Sequence, residues 1–205
     1  MFMPTLGPKL PLEKLPQSEI RHAQAIERVL WNMGHRCADL EAALELFENC
    51  LDYVKRNPKV GGKQRDYWMR EHWAHMAARE AASIIYMFGE DMKAAEDNFA
   101  DCPKLRGHVD IKEKKAATKA FSKHFSDWLS LRHTGQHQGK FYGTPEGMSE
   151  HAAPGSPFLI NRVMDHAIVS VFKKKVVAVE FTEDSILKLR EVRDLYWGIF
   201  VPTTP

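Results

Sequence analysis

A stripe of apolar residues, repeating in alternating steps of four and three, constrains the fold of this chain more than any other feature. Its members are Ile26, Leu30, Met33, Cys37, Leu40, Leu44, Phe47, Leu51 and Val54. With these steps an α-helix lays a narrow apolar seam against its neighbours. The pattern continues through Gly34 and stops before the Asn57-Pro58 pair. It therefore predicts one long helix from Ser18 to about Lys55.

Two further long helices are predicted from the same kind of periodicity. The second is expected over about residues 63–88, with Gly89 as the residue that ends it. A short helix over residues 91–99 is expected next, and a third long helix over about residues 110–132. The apolar stripe of this third helix consists of Ala117, Phe121, Phe125 and Trp128.

Near the C-terminus the apolar period changes from the helical spacing to two. Residues 166–172 and 176–181 are rich in Val, Ile and Phe and are joined by three lysines, which predicts a β-hairpin. Thr182 is followed by Glu183 and Asp184, a pattern typical of the start of a helix, and predicts a final helix. Residues 138–157 contain several Gly and Pro and are predicted to form a loop.

The predicted fold class is mostly α: a bundle of three long helices with a small C-terminal β-hairpin and a terminal helix. Residues 1–17 are expected to form a Pro-rich N-terminal arm or tether, and residues 18–140 the helical bundle. Residues 158–200 are expected to pack on that bundle as a hairpin plus helix, within a single domain. An apolar share of 44% and a charged share of 27% are those of a globular protein.

Charge and cysteine content exclude few functions but indicate a compartment. The net charge of +2 is too small to indicate a nucleic-acid-binding protein by itself. The cysteines form no C-x-x-C pair, so neither a zinc knuckle nor a dithiol motif is present. Cys37 and Cys50 are predicted to be buried in the core. All three cysteines are consistent with a reducing compartment. Because signal-peptide features and long apolar segments are lacking, we expect a cytoplasmic protein without membrane association and without a cofactor.

Two charges interrupt the predicted core-facing stripes. Glu80 lies between the apolar positions Ala77 and Ile84 of the second helix, and Arg132 continues the stripe of the third helix. A buried charge needs a partner or a ligand. Glu80 and Arg132 are therefore expected to pair, either to fix the helix register or to orient Arg132 in a cleft.

The segment 128–137 resembles the signature of HEPN domains. In that family an Arg followed by a polar residue precedes a His, with four to six residues between the two, at the edge of a long helix of a bundle. Here these are Arg132, His133 and His137. Active members are metal-independent ribonucleases, often toxins of defence systems, and they dimerise. The resemblance thus implies an RNA-binding or RNA-cleaving homodimer, an endoribonuclease if catalytic, with an antitoxin-type protein partner.

The roles implied by the resemblance agree with the chemistry of RNA cleavage. His titrates near neutral pH and suits proton transfer, so His137 would move the proton while His133 assists orientation. The planar fork of Arg132 matches phosphate oxygens. The same Arg-to-His separations also occur at Arg28/His35, Arg65/His72 and Arg70/His75. Arg132 differs from these by combining a polar follower with a position at the end of an amphipathic helix.

Geometry sets a condition on this site. On an unbroken helix, Arg132 and His137 would point about 140° apart. The site therefore requires the helix to bend or end, and Gly135 is the residue expected to allow it.

Three alternatives remain open from the sequence. His133 and His137 share a face of a continuous helix and could bind a metal ion. His72 and His75 could join them, together with Glu71 or Glu80. A non-enzymatic interaction module could instead present the seam of the first helix to a partner or a second copy. Finally, Lys173, Lys174 and Lys175 are either a solvated turn or contacts to RNA phosphates.

Overall fold

The computed structural model describes residues 7–57, 64–136, 143–151 and 162–200, and the fold they form is mostly helical. Its helices are α1 (Gln17–Arg56), α2 (Gln64–Ala100), α3 (Pro103–Arg106), α4 (Ile111–Gln136), α5 (Pro145–His151) and α6 (Glu183–Gly198). Strands β1 (Arg162–Met164), β2 (Ala167–Phe172) and β3 (Lys175–Glu180) form an antiparallel sheet in the order β1-β2-β3. The predicted fold class, with three long helices and a terminal helix, is confirmed.

Helix α1 is the uninterrupted helix that the apolar stripe predicts. It has 40 residues and runs through Gly34. Every stripe residue from Ile26 to Leu51 is buried, and Val54 is half-buried. Because this seam is buried within the single chain, it is not a surface that α1 could present to a partner.

The prediction that Gly89 ends the second helix is wrong. Helix α2 continues through Gly89 to Ala100, so the expected short helix over residues 91–99 is its last part. A Cβ atom at position 89 would lie 2.9 Å from Cε1 and 3.0 Å from Cζ of Phe121. The glycine therefore serves a close approach of α4 to α2 and not a helix end.

The chain divides into two compact units, each built from separated segments. In the described residues, the first unit comprises segments 7–39, 87–124 and 186–200, and the second comprises segments 40–57, 64–86, 125–136, 143–151 and 162–185. Helices α1, α2 and α4 contribute to both. The hairpin belongs to the second unit, whereas α6 from Ile186 onwards belongs to the first.

In the first unit, α6 is fixed to the other helices by hydrogen bonds from its aromatic residues. The hydroxyl of buried Tyr196 donates to the carbonyl of Met92 over 3.2 Å, and the indole Nε1 of Trp197 donates to the carbonyl of Leu30 over 3.2 Å. The rings of Phe88 and Phe121 stack with centroids 5.8 Å apart.

The N-terminal segment is packed on the first unit from Gly7 onwards and is not a loose arm there. The backbone N–H of buried Leu10 donates to Glu27 Oε1 over 2.8 Å. A 3-10 turn follows over Leu12–Lys14. A Cβ atom at Gly7 would lie 3.1 Å from the backbone carbon of Leu30, so this segment passes directly against α1.

Carboxylates define the starts of α3 and α4. The carboxylate of Glu19, a buried acid that the sequence pattern did not indicate, accepts the backbone N–H groups of Lys104 and Leu105 in α3. Asp110 Oδ1 accepts the N–H groups of Lys112 (2.8 Å) and Glu113 (3.2 Å), which caps α4. The segment from Pro103 to Gly107 therefore contains a single helical turn, α3.

In the second unit, the predicted hairpin is present with a two-residue turn. Phe172 pairs with Lys175, and the turn residues Lys173 and Lys174 have φ values of 48° and 63°. Two consecutive positive φ values are typical of the type I′ turn that matches the twist of a hairpin. Strand β1 was not predicted; it adds to the outer side of β2, where Arg162 pairs with Val169.

An aromatic cluster joins the hairpin end to the helices of the second unit. The ring of Phe181 lies 5.2 Å from that of Phe47 and 5.5 Å, edge to face, from that of Trp128.

Helix α5 lies within the segment predicted as loop. None of the described helices combines the length and the apolar character that crossing a bilayer requires.

We expect Gly89→Ala to destabilise the protein by about 1–3 kcal/mol, because the added methyl group would overlap the Phe121 ring. This cost should exceed the gain of up to about 1 kcal/mol in helix propensity. Urea unfolding followed by circular dichroism measures the difference. Gly198→Ala is the matched control, since a Cβ atom there has nothing within 4 Å. Equal stabilities for the two variants would contradict the close approach.

The three cysteines are buried, as predicted for Cys37 and Cys50. Burial raises the pKa of the Cys37 thiol to about 11, against the opposing charges of Arg193 and Arg190. We therefore expect a thiol reagent at pH 8 to modify none of the cysteines in the native protein and all of them in urea. Ser122→Cys, at an exposed position, provides the positive control. Rapid modification of a native cysteine would show that the core opens locally.

Candidate functional site

Arg132 lies on the last two turns of α4, at the edge of its buried face. The predicted stripe residues from Ala117 to Trp128 are buried. The core-facing line then continues with Leu131 and Thr134, which are fully buried, and not with Arg132, which is half-buried. Arg132 therefore borders the core of the second unit and keeps part of its side chain accessible.

An aromatic ring positions the Arg132 guanidinium. Its Cζ atom lies 3.5 Å from the centre of the Tyr86 ring, in a cation–π contact. The Nε atom is buried and has no hydrogen-bond partner among the residues that the structure describes. Among the carboxylates whose side chains the structure describes, none forms an ion pair with Arg132. The positive charge is thus oriented without being neutralised by a described residue.

Glu80 does not supply the expected partner charge. Its side chain is exposed on α2, whereas Ala77, Ala78 and Ala81 face the core. The predictions that Glu80 is buried and that it forms a buried ion pair with Arg132 are therefore wrong. Three residues fall about 60° short of a full turn, so the step from Ala77 to Glu80 leaves the buried face of α2.

The two histidines of the motif have different outcomes. His133 is exposed on α4, next to Arg132 and about 100° further round the helix. His137 lies outside the described residues. Helix α4 continues through Gly135 to Gln136, so it does not break at the glycine. A change of direction that would bring residue 137 towards Arg132 has to come after Gln136.

The metal alternative is not assembled by the described residues. His72 is exposed and His75 half-buried on α2. No group of three or more His, Cys, Asp or Glu side chains in the described ranges is placed to hold a metal ion. His137, which this alternative needs, is not described.

The three lysines of the hairpin are exposed. Lys173 and Lys174 form the turn, and Lys175 begins β3. The positive φ values fix the turn, so these lysines are held at a defined tip of the second unit. Both roles considered for them, a solvated turn and phosphate contacts, agree with this position.

A small pocket in the second unit was missed by the sequence analysis. It has a volume of about 160 Å³ and is lined by Leu51, Val54, Lys55, Glu71, Ala74, His75, Val163 and Asp165. Beside it, Lys55 Nζ lies 3.2 Å from His166 Nε2. These residues come from α1, α2, β1 and the β1–β2 turn, so no spacing along the chain indicated that they meet. The pocket carries charges of both signs, which favours no single ligand class.

A second arginine of this unit is also positioned by aromatic rings. The Cζ atom of Arg70 lies 4.9 Å from the centre of the Trp73 ring and 5.2 Å from that of Tyr53.

In the first unit, by contrast, Arg36 pairs with Asp91 over 3.4 Å. Burial raises the pKa of Asp91, against the effect of the Arg36 charge.

Comparison with known proteins gives no assignment for these residues. The chain matches no known protein family, and no curated protein or solved structure is significantly similar to it.

We expect a double-mutant cycle with Tyr86→Leu and Arg132→Gln to give a coupling free energy of about 0.5–2 kcal/mol, because the guanidinium sits against the ring face. Urea unfolding of the four proteins measures it. Tyr86→Phe is the control: it retains the ring and should stay within about 0.5 kcal/mol of wild type. A coupling of zero would show that the ring does not hold the charge.

Proposed function

We propose that this chain binds RNA through its second unit and that Arg132 holds a phosphate group there. The observation that carries the proposal is the contact of the Arg132 guanidinium with the Tyr86 ring, without an ion pair to a described carboxylate. The ring therefore positions the guanidinium before a phosphate group binds. A guanidinium presents a planar fork of donors that matches phosphate oxygens.

Further cations of the same unit support a polyanionic ligand. Lys173, Lys174 and Lys175 lie exposed at the hairpin tip, and Arg70 is oriented by two aromatic rings. Lysine and arginine contacts to phosphates supply most of the sequence-independent affinity for a nucleic acid. The net charge of the whole chain is only +2 and does not reveal where these cations lie.

The stronger form of the proposal is metal-independent cleavage, as the resemblance to HEPN domains implies. The 2′-oxygen would attack phosphorus after losing its proton, and the 5′-oxygen would leave with a proton, giving a cyclic phosphate and a free 5′-hydroxyl. His137 is the residue proposed to transfer a proton. Arg132 would stabilise the charge on the phosphorane oxygens. A homodimer and an antitoxin-type partner belong to the same proposal.

The competing proposal, a non-enzymatic interaction module, requires a surface other than the α1 seam. That seam is buried within the single chain from Ile26 to Leu51. A module of this kind would bind its partner without changing RNA, which the following experiment separates.

We expect the purified protein to cleave RNA with EDTA present, and His137→Ala to abolish cleavage while RNA binding persists. Arg132→Gln should weaken both, by about tenfold or more in cleavage rate, because it removes the charge on phosphate. Rates come from gel analysis of a labelled RNA pool, and binding from fluorescence anisotropy.

Arg28 and His35 provide a matched control, because they repeat an Arg-to-His separation within the first unit. Arg28→Gln and His35→Ala should leave binding and cleavage unchanged. Binding without cleavage would retain the RNA-binding proposal and remove the enzymatic form. Absence of binding by folded wild-type protein would overturn both.

A further inference from the structure

The outward face of α2 combines aromatic, sulfur-containing and cationic side chains. At about 100° of rotation per residue, six positions fall within a single arc about 100° wide. They are Arg65, Trp68, Met69, His72, Met76 and Arg79. All six are exposed, Trp68 to 50% and Met76 to 49%. We call this surface the α2 face.

The charges of the α2 face are of one sign. Arg65 and Arg79 lie within the arc together with His72. From Arg65 to Tyr86 the arc contains no carboxylate, and Glu90, about one turn beyond Tyr86, is the first carboxylate to fall in it. Asp66 and Glu80 flank it on one side and Glu71 on the other. A ligand that lies along the face therefore meets cations under its length and carboxylates only at its borders, which favours an anionic ligand.

The α2 face leads along the helix to the candidate site. Tyr86 follows Trp68 by 18 residues, which are five full turns, so the two side chains leave α2 in the same direction. Tyr86 carries the Arg132 guanidinium on its ring. The distance along the axis is about 27 Å at 1.5 Å per residue. One line of the second unit thus joins an exposed indole, two arginines and the proposed phosphate ligand.

From this arrangement we infer that the α2 face is a binding track for single-stranded RNA, in which a base stacks on Trp68 and phosphates contact Arg65 and Arg79. The inference rests on the proposed RNA-binding function and adds where the strand lies. Aromatic side chains with neighbouring cations are the means by which proteins bind unpaired strands, since every base has a face that can stack. A duplex keeps its bases stacked on each other and cannot use Trp68 in this way.

A second copy of the chain is the other occupant to be tested, because an exposed Trp with two Met also suits a protein interface. The charge of the α2 face opposes this occupant: two copies meeting through it would bring Arg65, Arg79 and their equivalents together. Contact between two copies would also give no role to the alignment of the α2 face with Tyr86 and Arg132. RNA is therefore the occupant that the residues favour.

The test uses the full chain and a fluorescein-labelled uridine oligomer of about ten nucleotides. Its 2′-O-methyl groups prevent attack by the 2′-oxygen, so binding is measured without cleavage. We expect Trp68→Ala to raise the dissociation constant about tenfold or more, and Arg79→Gln to raise it and to reduce the salt dependence by about one phosphate contact.

The first unit supplies matched controls. Trp31 is exposed to 46%, close to the 50% of Trp68, and Arg28 is exposed like Arg79. Trp31→Ala and Arg28→Gln should leave the dissociation constant within about twofold of wild type. Ultraviolet cross-linking of the oligomer should also place an adduct on the tryptic peptide of residues 66–70, a readout that needs no variant to fold.

The outcomes separate this inference from the proposed function. Unchanged binding by Trp68→Ala, with binding weakened by Arg132→Gln, overturns the track and retains the proposed function. Absence of binding by the wild-type protein overturns both. Dissociation of a dimer by Trp68→Ala in sedimentation equilibrium, with no change in RNA affinity, identifies the α2 face as a self-association surface and also overturns the track.

Discussion

Burial of the apolar stripe of α1 is the constraint on which both units depend. In the first unit its members from Ile26 to Cys37 are buried, and in the second unit those from Leu40 to Leu51. A buried Leu, Ile or Phe side chain contributes about 1.5–3 kcal/mol relative to an exposed one. A helix of 40 residues with such a stripe is far more stable in this context than alone, since isolated helices gain little beyond propensity. Each unit therefore has its core organised around a different half of one helix.

Between residues 74 and 82, the face of α2 that packs inwards is built from alanines. Ala74, Ala77, Ala78, Ala81 and Ala82 are buried, so neighbouring backbones can approach closely. Further along, Gly89 admits the ring of Phe121, which a methyl group would not. On the opposite face of α2, the large side chains Trp68 and Met76 are exposed. The α2 face, which is proposed to bind RNA, thus lies on the side of the helix opposite to the buried alanines.

The parts of the fold that depend on periodicity were predictable, and those that depend on a meeting of distant residues were not. The α1 stripe, the buried face of α4 and the hairpin follow from spacing alone. Gly89 was misjudged because a helix-ending glycine and a close-packing glycine look identical in sequence; only Phe121 distinguishes them. Glu80 and Arg132 were placed on stripes by counting, but the stripes shift with the 3.6-residue period, so both lie outside the core. Tyr86, which positions Arg132, carried no sequence signal.

How an arginine is oriented determines what it can still bind. Arg36 is held by Asp91, so its charge and part of its donor fork are already used, and a phosphate would have to displace a carboxylate. Arg132 is held by the Tyr86 ring, which places the guanidinium against the ring face and leaves its charge uncompensated by the described carboxylates. Arg70 follows the second pattern with Tyr53 and Trp73. Because an aromatic ring orients a guanidinium at little cost to its charge, these two arginines of the second unit are suited to an anionic ligand, whereas Arg36 is suited to hold the first unit together.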